Sequence, residues 1–363
     1  MCVAVFRFVT LAVATLAAYG GRTGSELAGH GIGAITGPWQ QWDANWFTWI
    51  ARVGYAPLSP VHTNGRVYDA IVWPPLFPGL IAAISGPTGL DQGLVALAIS
   101  TVVLFTAIIG IFRVVQHDHG EGLALATVVL ILVYPSSLFL GAGYTEGLLL
   151  GLGAWSFWAA ITGRWWLAGI LAAAAVMTKF YAVILVAALL WEYLDQRDWS
   201  WRRVRADVAW LALPWAVVLA GWLFYVQLLV GDWTRVLTSQ KYWDRHLAMP
   251  WVSILDAAGT LSRFRFIGVV DLGALVLLVV LTAYSYGRIR RSYTVFLALG
   301  VLACVTSSTL VSTGRYTTIL FPMFIAAALL LRSRPWLERG VAVTSGVLML
   351  GLLTRFATGH WAG

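Results

Sequence analysis

Long apolar runs alternate with short polar breaks along almost the whole chain, and most of the runs are of membrane-crossing length. A helix spans the hydrocarbon core with about 20 apolar residues. Runs of this kind lie at roughly 3–20, 92–112, 122–139, 145–162, 166–178, 180–194, 207–230, 266–286, 293–311, 316–331 and 340–357. They predict an all-α polytopic membrane protein with about 11 transmembrane helices, the chain 1–363 forming one integral-membrane domain. The boundary near Thr178 is the least distinct. Segment 71–85 is apolar but short and holds Pro74, Pro75 and Pro78, so it predicts a juxtamembrane or half-inserted helix that does not cross. The first run, with Arg7 near its start and Leu16-Ala17-Ala18 near its end, has some marks of a cleavable leader. An uncleaved first span fits a polytopic chain better.

Composition supports the membrane class. The chain is 60% hydrophobic and 11% charged, with a mean hydropathy of +0.79. A soluble domain carries roughly 25% charged residues, so an ordinary soluble enzyme, a disordered chain and a nucleic-acid binder are all excluded. The formal charge of +8 comes from short basic clusters between apolar runs, as positive-inside topology requires. With the N-terminus inside, the inner loops hold Arg197, Arg202, Arg203 and Arg205, then Arg288, Arg290 and Arg291, then Arg332, Arg334 and Arg339. Two sizeable outer loops remain, 21–91 and 231–265. Apart from Lys179 and Lys241 the basic residues are arginines, a bias that points to a GC-rich bacterial genome and so to a bacterial cytoplasmic membrane. Cys2 and Cys304 form no disulfide framework and have no metal-ligand spacing. There is no sequence repeat and no inverted-repeat signature of a transporter.

Few polar groups are left to carry chemistry, and they gather on the outer side. In Trp42-Asp43-Ala44-Asn45-Trp46-Phe47-Thr48-Trp49, the residues Trp42, Trp46, Trp49 and Val53 recur at helical spacing and predict an interfacial aromatic stripe. Asp43 reads equally as a helix N-cap and as a general base at the membrane surface. Glu146, in Gly143-Tyr144-Thr145-Glu146, is an ionisable group at membrane depth, or else an acid favoured by a helix dipole. Lys179 either snorkels or binds an anion. Gln240-Lys241-Tyr242-Trp243-Asp244-Arg245 mixes amide, cation and indole groups suited to sugar and phosphate, or is a solvated loop with aromatic anchors. Arg315 caps the outer end of the tenth run and could pair a phosphate or lipid head group.

Trp42-Asp43 with Phe47, Ile50-Ala51 and Gly54-Tyr55, then Phe77-Pro78, Gly143-Tyr144-Thr145-Glu146, Gln240-x-x-Trp243-x-Arg245 with Pro250, and Arg315-Tyr316 with Phe321-Pro322 together resemble the PIG-V family of mannosyltransferases. The resemblance runs over most of the chain in this order. The chain departs from it at Val72-Trp73-Pro74, where the family often has Phe-Phe-Pro, and at Thr178-Lys179, where it often has Thr-Arg. The resemblance implies a GT-C helical bundle with juxtamembrane helices in the first outer loop, and it matches Asp43 to the family's catalytic carboxylate. The expected reaction is inverting transfer of mannose from polyprenyl-phosphate-mannose to an acceptor hydroxyl on a glycolipid, lipoglycan or protein, giving an α-linkage. Lys179, Arg245 and Arg315 are the expected phosphate ligands. Trp42, Tyr144 and Trp243 are expected to shape the sugar pocket, Glu146 to bind sugar hydroxyls or orient a cation, and Gln240 to bind substrate. The reading requires no metal and no cofactor beyond the lipid-linked donor. A transporter or flippase of lipid-linked intermediates, and a non-catalytic assembly subunit, are the alternatives.

Overall fold

Leucine, alanine and valine fill the predicted runs, and a segment apolar all round is driven into a bundle or into lipid as a helix. The computed structural model describes residues 1–20, 32–63, 66–262 and 266–363 and is nearly all helical. Residues 21–31 and 64–65 of the expected loop 21–91, and 263–265 of the loop 231–265, lie outside the described residues. The main helices are α1 (Cys2–Gly20), α2 (Asp43–Val53), α3 (Leu76–Thr88), α4 (Gln92–His119), α5 (Glu121–Val133), α6 (Glu146–Ile161), α7 (Trp165–Thr178) and α8 (Val183–Asp195). They continue as α9 (Ala209–Val230), α10 (Pro250–Ser262), α11 (Phe266–Ser285), α12 (Arg291–Val305), α13 (Thr313–Thr318), α14 (Pro322–Leu331) and α15 (Pro335–Ala357). A short antiparallel pair, β1 (Val61–Thr63) and β2 (Arg66–Tyr68), sets His62 opposite Val67.

The chain is a multi-pass membrane protein, and helices occupy every predicted run. Among the described residues, α1, α4, α9, α11 and α15 are long and apolar enough to cross alone, and α5 continues into Pro135–Gly141 through a 75° bend. Helices α3, α6, α7, α12 and α14 are apolar but only 10–17 residues long. Helix α3, with Pro78 in its first turn, has 13 residues and is therefore about 20 Å long, short of the hydrocarbon thickness.

Shortening has local causes. Tyr134 precedes Pro135, which forces it out of the helical region to ψ 141°. Helix α7 stops at Thr178, and Lys179 is extended at φ −160°. Between α12 and α14 the backbone passes through Ser312 at φ 70° into α13. Such breaks expose backbone groups that must find partners away from water. Asp271, on α11, accepts hydrogen bonds from Ser312 N at 3.1 Å and Gly314 N at 3.0 Å. The Tyr134 and Thr317 hydroxyls bond at 2.8 Å, and Ser137 Oγ donates to Ile131 O.

Helix α6 packs along α4 through Gly147 and Gly151, a small-xxx-small pair. A Cβ on Gly147 would lie 3.0 Å from Leu140 O, and one on Gly151 3.4 Å from the Ala107 Cβ. The absent side chains bring the start of α6 close against α4.

The expected inner arginines collect at the far end of the bundle from this contact. Arg290 donates to Asp118 through Nε (2.6 Å) and Nη2 (2.7 Å) and to Glu192 through Nη1 (3.0 Å). Ser292 Oγ completes the cluster on Glu192 at 2.6 Å, and Arg197 pairs with Asp207 at 3.1 Å. Asp118 and Glu192 lie near the C-terminal ends of α4 and α8, so these arginines hold helix ends together as well as carrying the charge bias. Removing one partner of a buried ion network costs on the order of 3–5 kcal/mol. Arg290→Ala should therefore lower the thermal unfolding midpoint in detergent by several degrees; an unchanged midpoint would show that the network contributes nothing.

Candidate active site

Trp42 has φ 46° and ψ −110°, an unusual backbone conformation for a non-glycine residue that costs on the order of 1–3 kcal/mol. Its indole packs against Phe356 at 5.3 Å and Trp361 at 5.2 Å, which hold the turn in place. The turn starts α2 with Asp43 as its first helical residue. The N-cap position therefore falls to Trp42, which supplies no side-chain cap bond, and Asp43 is not a cap. Instead Asp43 Oδ2 accepts from Arg315 Nη2 at 2.8 Å. No described residue donates to its Oδ1, and the side chain keeps 22% of its exposure.

Arg315 is the centre of the cluster. It reaches Glu146 Oε1 through Nη2 at 2.7 Å and Nε at 3.1 Å, while its guanidinium lies 4.8 Å from the ring centroids of both Phe139 and Tyr144. Lys179 Nζ bonds the same Glu146 oxygen at 3.0 Å. Glu146 and Arg315 are buried, whereas Lys179 is about one-fifth exposed. Two carboxylates and two cations thus balance in a region where an unpaired charge would be very costly. The pieces come from far apart in sequence: the start of α2, the start of α6, the break after α7 and helix α13. Each carries its side chain at a helix end or break, where the backbone turns.

Arg245 joins from the other outer loop. Its Nη1 donates to Tyr316 Oη at 2.5 Å and its Nη2 to Val311 O at 2.8 Å. Among the described residues it has no carboxylate partner. Lys179 Nζ and the Arg245 guanidinium stand 4.6 and 5.3 Å from the Tyr316 ring centroid, so two cations flank one half-buried tyrosine.

The remaining expected site residues are placed differently. Tyr144 is fully buried, with its hydroxyl donating to Gln41 O at 2.9 Å, so it backs the site behind Arg315 and lines no open pocket. Gln240 is half-buried and gives its carbonyl to Arg245 N at 3.1 Å, with no side-chain bond to a described residue. Trp243 packs against Trp73 (4.5 Å), Tyr68 (4.9 Å) and Trp46 (5.6 Å). The expected stripe is therefore split: Trp46 and Trp49 stack into this cluster, while Trp42, outside the helix, faces Phe356 and Trp361.

Three contributors lie outside the site residues expected from the sequence. Asp69, fully buried, accepts from Arg235 Nε and Ser239 Oγ, both at 2.8 Å, and its carbonyl accepts from Trp243 Nε1 at 3.3 Å. It ties the two outer loops together, and its hydrogen bond holds the Arg235 guanidinium above its ordinary pKa. Asp271, on α11, supports the turn that carries Arg315. Trp361 lies beyond the last span, where nothing in the pattern marks it.

The bundle has a counterpart among solved structures. ArnT from Cupriavidus metallidurans bound to undecaprenyl phosphate is similar over 97% of this chain, with a TM-score of 0.59 and 18% identity. The chain spans 64% of the length of that protein. The Archaeoglobus fulgidus oligosaccharyltransferase is more distant, with a TM-score of 0.47 and 12% identity over 98% of this chain and 53% of its own. No curated protein sequence matches. The fold is thus that of the GT-C membrane proteins. The profile of glycosyltransferase family 87 matches residues 73–313, about two thirds of the chain, and the chain belongs to that family. The match includes Glu146, Lys179 and Arg245; Asp43 and Arg315 lie outside it.

Glu146→Gln should leave Arg315 and Lys179 under-compensated. The expected result is a loss of about 3 kcal/mol of stability, together with weaker retention of Arg315 against Asp43. Thermal unfolding of the purified variant checks this; a midpoint equal to that of the parent would mean that Glu146 carries no structural charge balance.

Proposed function

We propose that the protein transfers mannose from polyprenyl-phosphate-mannose to an acceptor hydroxyl on a glycolipid, lipoglycan or protein, with inversion to an α-linkage. The observation that carries the proposal is the pair of cations beside Tyr316. Arg245 lacks a carboxylate partner among the described residues, and Lys179 is partly open, within one charge cluster that also contains Asp43. A phosphodiester, whose two non-bridging oxygens share one negative charge, suits this pair, and the second charge that appears on the phosphate as it leaves suits it further. ArnT, which shares the fold, is described with undecaprenyl phosphate bound. Mannose as the sugar is supported by the PIG-V-like blocks, above all Trp42-Asp43 and Gly143-Tyr144-Thr145-Glu146.

In this mechanism Asp43 is the general base. Its Oδ1 takes the proton from the acceptor hydroxyl as that oxygen attacks the anomeric carbon in line with the departing phosphate. The bond from the anomeric carbon to the phosphate oxygen breaks, and the polyprenyl phosphate leaves as an anion, so no protein acid is needed. Lys179 and Arg245 stabilise the charge that develops on the leaving oxygen. Arg315 orients Asp43 through Oδ2, and Glu146 positions Arg315 and Lys179 without touching substrate. No metal or further cofactor enters the scheme. The chain acts as one domain in a bacterial cytoplasmic membrane, N-terminus inside and site facing outward, in keeping with the arginine clusters at the opposite end of the bundle.

Asp43→Asn should bind the donor as the parent does but turn over about 10²–10⁴-fold more slowly. Parent-like turnover by a folded Asp43→Asn protein would reject the base assignment. Lys179→Ala and Arg245→Ala should each weaken binding of bare polyprenyl phosphate by about tenfold or more; unaltered affinity in both would remove the phosphate role. Mass and linkage analysis of the product tests the sugar and its anomer. Release of free polyprenyl phosphate separates transfer from transport of the intact donor.

A further inference from the structure

Beyond α15 the chain turns back through residues 358–363 into the cluster around Arg315. Trp361 O accepts from Arg355 Nε at 2.8 Å, and Gly363 O accepts from Ser312 Oγ at 3.3 Å. Ala362 is fully buried, and a Cβ on Gly363 would meet Phe139 at 2.5 Å and Arg315 Cδ at 3.1 Å. The segment is therefore fitted against the same turn, at Ser312, that Asp271 supports and Arg315 follows. Within it Trp361 is only half-buried. Its ring lies 5.7 Å from the Arg315 guanidinium, 6.4 Å from the Phe139 ring, and edge-on to Trp42 at 5.2 Å. Trp42 is the residue next to Asp43, and Arg315 binds the Asp43 carboxylate.

From this placement we propose that residues 358–363 build the sugar subsite, with Trp361 as the aromatic platform against which the transferred hexose rests. A hexose presents one face of C–H groups and a rim of hydroxyls. The exposed part of the indole fits the first, and Asp43, next to Trp42 in the chain and bonded to Arg315, supplies the group for the reacting centre. The assignment separates two parts of one substrate: Lys179 and Arg245 hold the phosphate, whereas Trp361 holds the sugar. It differs from the expectation that Trp243 shapes the sugar pocket, because Trp243 is committed to the Trp46–Trp73 cluster. The inference rests on the donor class given under Proposed function and adds the residue that distinguishes a sugar-bearing lipid from a bare one.

The test is a comparison of affinities of the full-length protein for polyprenyl phosphate and for polyprenyl-phosphate-mannose, in the parent, Trp361→Phe and Trp361→Leu. Both variants keep apolar bulk against Arg315 and Phe139, and unfolding midpoints verify that they fold. The parent should favour the sugar-bearing lipid by about tenfold or more. Trp361→Phe should retain that preference within about threefold, and Trp361→Leu should lose it while still binding bare polyprenyl phosphate as the parent does. Retention of the preference by Trp361→Leu overturns the platform, as does an equal loss of affinity for both lipids, which would indicate a packing role alone. A parent that turns over the donor but shows no preference for its sugar also overturns the platform while leaving the transferase proposal intact. If the parent neither binds nor turns over either lipid, the donor class itself fails, and the platform with it.

Discussion

One guanidinium sets the terms for the rest of the site. Arg315 is buried, and a buried cation persists only where its donors are matched by acceptors and its charge by carboxylates. Glu146 supplies most of that match and Asp43 the remainder. Because Glu146 also takes Lys179, the position of each charge depends on the other three. A single flexible ammonium in place of Arg315 could not reach both carboxylates in fixed directions, since the planar fork is what connects them. The aromatic rings of Phe139 and Tyr144 cover the guanidinium from sides where water would otherwise solvate it.

Helix termination is the structural means by which these groups meet. A continuous apolar helix presents only side chains to its neighbours, and its backbone groups are consumed internally. Here α6, α7 and α13 start or stop within the bundle, so Glu146, Lys179 and Arg315 each project from a place where the chain changes direction. Freed backbone groups are bonded by Asp271 and by the Ser137 hydroxyl, and the Tyr134 and Thr317 hydroxyls bond each other across the break. Asp271 is thereby bound to the geometry of Arg315 without approaching it as an ion pair.

Much of this was legible in the chain because scarce charges are conspicuous in an apolar background. Asp43, Glu146, Lys179, Arg245 and Arg315 stand out from their neighbours, and all five lie at one end of the bundle. What periodicity does not convey is rotation and depth. Trp42, Trp46 and Trp49 fit a single helical stripe on spacing, but the positive φ of Trp42 removes it from the helix and turns it to a different partner. Tyr144 and Glu146 carry site-like residue types yet face inward, which only the packing of α6 on α4 decides. Span lengths also eluded the hydropathy pattern, because an apolar run reads the same whether its helix continues or breaks at Pro135 or Lys179. Asp69 and Trp361 could not be singled out, since each acquires its role from a contact with a distant part of the chain.

The Gly147–Gly151 contact has a bearing on how substrates arrive. It places Glu146 alongside Ser100 of α4, eight residues from the start of that helix at Gln92 and so about 12 Å along it. The charged cluster therefore lies about two helical turns below the N-terminal end of α4, inside the bundle. A lipid-anchored sugar, the donor class proposed above, would approach such a buried site from the side, with its tail still in hydrocarbon. A water-soluble sugar nucleotide would have to shed its hydration to descend the same distance. Two missing side chains thus set how far below the end of α4 a substrate of the proposed lipid-linked class would have to meet the site.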